Sequence, residues 1–130
     1  MNKPPEPSEY EAQCAIFRWA ELLSKEYPML KRLVGSANGV RIGIGQAMKL
    51  KRAGCLPKGI PDLFLPYPIK TWHGLFIELK KKDGGSLSEE QKDWIFWLQG
   101  VGYYACVCWG EEEAKTIIMR YITGDFGVDL

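Results

Sequence analysis

The sequence predicts an α/β domain: one mixed β-sheet with helices packed on its faces. Three observations predict it. Apolar residues recur at helical spacing in three long segments, roughly 8 to 26, 88 to 101 and 111 to 121. Short apolar runs bounded by Gly or Pro read as strands. The two kinds of segment interleave in the order α-β-(α)-β-β-α-β-α, which places helices against a shared sheet.

Residues 1 to 7, MNKPPEP, read as a flexible tail. Ser8 then caps a helix, and Glu11 three residues later completes a capping box. Ala12, Ile16, Trp19, Leu22 and Leu23 give that helix an apolar face, so it runs to about Glu26 before Pro28 ends it. A short strand opens at Leu33-Val34 and stops at the Asn38-Gly39 turn. Residues 46 to 53 are helical in character, with Gly54 as a C-terminal stop. Asp62-Leu63-Phe64-Leu65 opens the next strand, closed by Pro66 and Pro68. Residues 75 to 81 form a strand whose first half is apolar on both faces, as in a central position. Ser88 caps a second long helix with Gln91 at its third position. Trp94, Ile95, Leu98 and Val101 make its apolar face, and Gly102 stops it. A strand over 103 to 109 and an amphipathic helix over 111 to 121 complete the domain, which spans 8 to 123 with a C-terminal tail over 124 to 130.

At 130 residues and 46% hydrophobic, the chain suits one domain with a real core. No apolar run is long enough to cross a bilayer and the N-terminus lacks a signal-peptide pattern, so the expectation is a soluble cytoplasmic protein of a bacterial or phage-infected cell. Cys14, Cys55, Cys106 and Cys108 lack the paired spacing of a zinc site. Cys106 and Cys108 alternate with Ala105 and Val107, so they share one strand face as small hydrophobes. Trp97 and Trp109 are interface candidates but read more simply as ordinary packing, and His73, the one histidine, reads as incidental to a turn.

The net charge of +1 hides a strong asymmetry. Residues 31 to 82 hold eleven Lys or Arg against two acids, Asp62 and Glu78, a net of +9, while the flanks carry −2 and −6. A basic middle suits a phosphate backbone, although charge runs are often only solvated surface. The two acids inside it argue for a site. Glu78 and Lys80 share one face of a strand with Phe76, and a buried, unpaired charge costs several kcal/mol. The alternative is that they pair with each other at an exposed strand end. Asp62 either caps loop amides or, through the short 66–74 connection, approaches Glu78, where two carboxylates repel unless a cation lies between them. Gln91 lies on the sheet-facing stripe with Trp94 and Leu98, and Glu9 on the stripe of Ala12, Gln13 and Ile16; the first also serves a capping box and the second a helix N-terminus. Together they fit metal-assisted phosphodiester cleavage.

Gly59-Ile60-Pro61-Asp62 followed sixteen residues on by Glu78-Leu79-Lys80 resembles the PD-(D/E)xK nuclease superfamily. Glu9-x-x-x-Gln13, Asn38-Gly39, Phe76-Ile77-Glu78-Leu79-Lys80, Gln91 and Gly102-Tyr103 follow in the order of one branch, the VRR-NUC family, over residues 8 to 123. The Val-Arg-Arg element behind that name has Val40-Arg41-Ile42 as its nearest counterpart. The resemblance implies a restriction-endonuclease-like fold and a Mg²⁺-dependent DNA endonuclease, with Mn²⁺ substituting. It implies that Asp62, Glu78, the Leu79 carbonyl and Glu9 hold the metal, with Glu11 a weaker candidate. Lys80 would hold or help deprotonate the attacking water, and Gln91 would orient Lys80 or the nucleophile. Arg41, Lys49, Lys51, Arg52, Lys58, Lys81 and Lys82 are candidate DNA contacts. Short members of this kind look like Holliday-junction resolvases acting as homodimers on branched DNA. A flap or fork nuclease, a nickase, a non-catalytic DNA-binding module and a general α/β domain are the alternatives.

Overall fold

Among the described residues, four strands and four α-helices follow one another in the order the sequence predicts. The computed structural model describes residues 3–37, 41–55 and 57–126; the Asn38-Gly39 turn and Leu56 lie outside the described residues. The first helix, α1 (Glu9–Leu23), has the expected capping box. Ser8 Oγ accepts from the Glu11 N–H at 3.1 Å, and Glu11 Oε1 accepts from the Ser8 N–H at 3.2 Å. It ends at Leu23, short of the expected Glu26, where Ser24 turns its hydroxyl onto the Glu21 carbonyl at 2.7 Å. Pro28 then opens a 3₁₀ turn, Pro28–Arg32, that apolar periodicity did not reveal. The buried stripe of α1 is Ala12, Ile16 and Ala20. Leu22, expected on that face, sits about 200° round the helix from Ala20 and is 79% exposed.

The sheet has the order β1-β2-β3-β4, formed by β1 (Val34–Gly35), β2 (Leu63–Leu65), β3 (Leu75–Lys80) and β4 (Tyr104–Trp109). The first three strands are antiparallel neighbours, with Leu63 opposite Ile77 and Leu65 opposite Leu75. β3 and β4 run parallel, which requires a crossover; α3 (Glu89–Gly100) supplies it. β3 is therefore interior, as its two-sided apolar pattern predicts. Its odd residues Leu75, Ile77 and Leu79 enter the core with Leu63 and Leu65, beneath α1 and α4 (Glu111–Thr123). On the opposite face Phe76 stacks on Phe64 with ring centroids 4.3 Å apart. Glu78 and Lys80 continue that face to the end of the strand. Cys106 and Cys108 both lie on the core side, unbridged. The hydrogen bond from Cys106 and burial push the Cys108 thiol up, which keeps it protonated and unreactive.

Three expectations need correction. On α3 only Leu98 is buried; Val101 is exposed, as are Phe96 and Trp97 at 78% and 57%. Trp97 and Trp109, expected as ordinary packing, are only partly covered: Trp97 meets Trp94 edge to face, and Trp109 is 39% exposed. The C-terminal tail starts later than expected, since Phe126 stacks on Tyr104 at 5.4 Å and the Lys70 ammonium lies over its ring; residues 127–130 are outside the described residues. The short basic helix, α2 (Ile44–Arg52), is present and buries no residue. No helix among the described residues is long and apolar enough to cross a membrane.

Candidate active site

The site forms where β2 stops and β3 continues. Pairing of these strands ends at Leu63 opposite Ile77, so the next residues of β3 have no strand beside them on that edge. Asp62, the residue just before β2, fills the gap: its Oδ2 accepts the Leu79 N–H at 2.7 Å. The N–H and C=O of a strand residue leave by the same edge, so the Leu79 carbonyl opens into the same gap. The Lys80 carbonyl faces the other way and accepts the Gly110 N–H at 2.9 Å.

Glu78 is 2% exposed, with the Asp62 carboxyl against it. Burial first, and then the hydrogen bond and charge of Asp62, push the Glu78 acid from 4.5 up to about 9; Lys80 pulls the other way and Glu9 adds a small upward push. Two carboxyls held this closely keep a proton between them or take a cation in its place. Lys80 is 7% exposed, and its Nζ donates to Gln91 Oε1 at 2.9 Å. The same oxygen accepts the Ser88 N–H at 2.9 Å while the Gln91 N–H donates to Ser88 Oγ at 3.1 Å. Gln91 therefore serves both the helix cap and the buried ammonium. Glu78 and Lys80 each have a short contact with a third residue, Glu78 with Asp62 and Lys80 with Gln91.

That cleft has a volume of about 460 Å³, and its walls include Glu9, Lys51, Lys58, Asp62, Glu78 and Gln91. Glu9 reaches it from the first turn of α1, whereas Glu11 is tied to its capping box. Among the described residues no three His, Cys, Asp or Glu side chains form a closed metal cluster. The donors present are the Asp62–Glu78 pair, the Leu79 carbonyl and Glu9 across the cleft. A hard divalent cation that keeps several waters and needs only one or two protein carboxylates fits such a set.

The candidate DNA contacts divide. Lys51 and Lys58 line the cleft. Lys81 and Lys82 line a second cavity of about 380 Å³ together with Lys80, Trp109 and the acids Glu111 to Glu113, and Lys81 pairs with Asp83 at 3.7 Å. Arg41, Lys49 and Arg52 are exposed around α2 without lining the cleft. His73 lies before the start of β3, at the opposite end from Lys80, edge-on to Tyr103.

Sequence reasoning missed what holds Asp62 in place. Gly59 has φ +90°, and a Cβ there would meet the backbone carbonyl carbon of Glu90 at 2.5 Å. Trp94, expected only as apolar packing, donates its indole N–H to the Lys58 carbonyl at 3.1 Å. Lys58 Nζ also reaches Glu90 at 3.1 Å. The start of α3 thus clamps the loop leading to Asp62 and, through Gln91, fixes Lys80. The Gly59 of the Gly-x-Pro-Asp run was the available signal, because close backbone approach needs a residue without Cβ.

The family model of the VRR-NUC domain matches residues 6–112. A solved structure described as a VRR_NUC domain protein superposes with a TM-score of 0.73 at 29% sequence identity, over 92% of this chain and 91% of that one. No curated protein matches the chain. With the family model matching most of the chain and the restriction-endonuclease-like sheet lying within that match, the chain belongs to the VRR-NUC domain family and carries a nuclease-type domain.

Proposed function

We propose that the protein is a Mg²⁺-dependent DNA endonuclease acting on branched DNA, cutting two strands of a Holliday junction as a homodimer. The observation that carries this reading is the buried Glu78 against half-buried Asp62 in a cleft lined also by Lys51, Lys58 and Gln91, with Gln91 accepting a hydrogen bond from Lys80. Asp62 and Glu78, with the Leu79 carbonyl and Glu9, would hold Mg²⁺, or Mn²⁺ in its place. When bound, the ion supplies Lewis-acid polarisation of the phosphate and lowers the pKa of water. Lys80, already in hydrogen-bonding position, orients the attacking water and offsets charge growing on the scissile phosphate. Gln91 prevents that ammonium from collapsing onto the two carboxylates. Lys51 and Lys58 meet neighbouring phosphates. A twofold dimer supplies the two sites that a symmetric junction needs, and the exposed Phe96, Trp97 and Val101 on α3 support a self-association face.

The test is cleavage of labelled four-way junction, flap and linear duplex DNA in Mg²⁺, Mn²⁺ or EDTA, beside Asp62→Asn. Paired symmetric cuts in the junction that need metal and disappear in the variant are expected. Cleavage of flaps or forks alone would retain the active site and remove the junction reading. Salt-sensitive binding with no cleavage in any divalent ion would leave a DNA-binding module.

A further inference from the structure

α2 differs from the other described helices in burying none of its residues. Ile44 is 82% exposed and Met48 is 50% exposed. They stand one turn apart and so form a single apolar stripe. Ala47 and Lys51 of the same helix line the catalytic cleft. At about 100° per residue, Ile44 and Met48 fall beside Lys51 on the helix surface, so the stripe borders the cleft mouth. Among the described residues, nothing outside the helix itself lies within 4 Å of where a Cβ would stand at Gly43 or Gly45.

Residues 41 to 58 hold Arg41, Lys49, Lys51, Arg52 and Lys58 and no acid. A second copy docking on this face by a twofold axis would set cations against cations, which opposes association. A polyanion is the complementary partner. Phosphates account for the cations but give nothing to an isoleucine or a methionine. Such side chains gain from DNA by meeting base faces, which an intact duplex keeps stacked and a branch point exposes.

We propose that Ile44 and Met48 are the branch-reading residues of this protein, entering an unstacked base step at a strand discontinuity while Lys51 and its neighbours hold the flanking phosphates. The inference rests on the nuclease reading of the adjoining cleft and assigns its selectivity to α2. Docking the discontinuity on the stripe sets which phosphate reaches Asp62, Glu78 and Lys80.

The experiment compares wild type with the Ile44→Ser/Met48→Ser double variant, whose changes are at exposed positions. Binding to a four-way junction and to a linear duplex of equal length is read by fluorescence anisotropy in EDTA, with 2-aminopurine at the branch reporting unstacking. The expected result is tighter junction binding by wild type, a loss of about tenfold for the variant on the junction, duplex binding within about twofold, and branch fluorescence that rises only with wild type. Equal loss on both DNAs, no loss, or no junction preference in wild type would overturn the inference. So would conversion of a dimer to a monomer by the same substitutions, since α2 would then be a self-association face. If wild type cleaves nothing in Mg²⁺, the nuclease reading fails while this binding comparison still gives its own answer.

Discussion

Glu78 is the residue whose protonation ties stability to the site. Its acid is pushed up to about 9 by burial and by Asp62, so the folded chain holds that proton more tightly than an unfolded carboxyl does. The associated stability is complete below about 4.5 and is lost as pH rises toward about 9. In EDTA, the thermal midpoint of wild type is expected to fall across that window relative to Glu78→Gln, and Mg²⁺ is expected to offset the fall by taking the place of the proton. Parallel melting profiles of wild type and Glu78→Gln from pH 5 to 9 would disprove the coupling. The residues of the pair were legible in the sequence because each breaks a rule: Glu78 and Lys80 interrupt an apolar strand pattern, and Asp62 precedes one. Gln91 was legible for the same reason, a polar group on a sheet-facing stripe. Trp94 was not, because periodicity says which way an indole faces and nothing about what its N–H meets.

At the scale of elements, the start of α3 organises the site. It presents Gln91 to Lys80, and its backbone at Glu90 receives the close approach of Gly59. Gly59→Ala would force a side chain into a left-handed conformation and against backbone; the first effect alone costs about 1–3 kcal/mol. Urea unfolding is expected to show at least that loss, and cleavage is expected to fall further than stability accounts for, as the Asp62 loop lifts from α3. Gly84→Ala, where a Cβ meets nothing within 4 Å, is the comparison; equal effects at the two positions would show that the clamp has no special role. The order of elements was readable because periods of two and of about 3.6 residues alternate cleanly along the chain. The ends of elements were less so. α1 stops at Leu23, where both the N–H and the hydroxyl of Ser24 turn onto the Glu21 carbonyl, and the 3₁₀ turn after it has too few residues to show a period. On α3 the expected phase holds for Trp94, Ile95 and Leu98, which are buried or half-buried, while Val101, at the helix C-cap, is exposed.

For the whole molecule, the charge asymmetry resolves into two unlike surfaces. Lys51 and Lys58 stand at the cleft, while Lys81 and Lys82 stand in a cavity with Glu111 to Glu113. Lys80 stands between the two: its Nζ reaches Gln91 of the cleft, while its side chain also lines the second cavity with Lys81 and Lys82. DNA affinity measured against salt is expected to lose about one unit of slope for Lys51→Ala and to keep its slope for Lys82→Ala; the reverse result would place the DNA across the second cavity. The clamp at the start of α3 also has a consequence in time. Asp62, Glu78 and Lys80 leave the ribosome before Ser88, Gln91 and Trp94 do, and β4, the parallel partner of β3, follows later still. A nascent chain therefore carries its acids and its lysine before the Gln91 contact to Lys80 and the close packing of Gly59 on α3 can form. On the proposed nuclease reading, cutting competence is expected only when the crossover is complete, so a translation product ending before α3 is expected to leave DNA uncut.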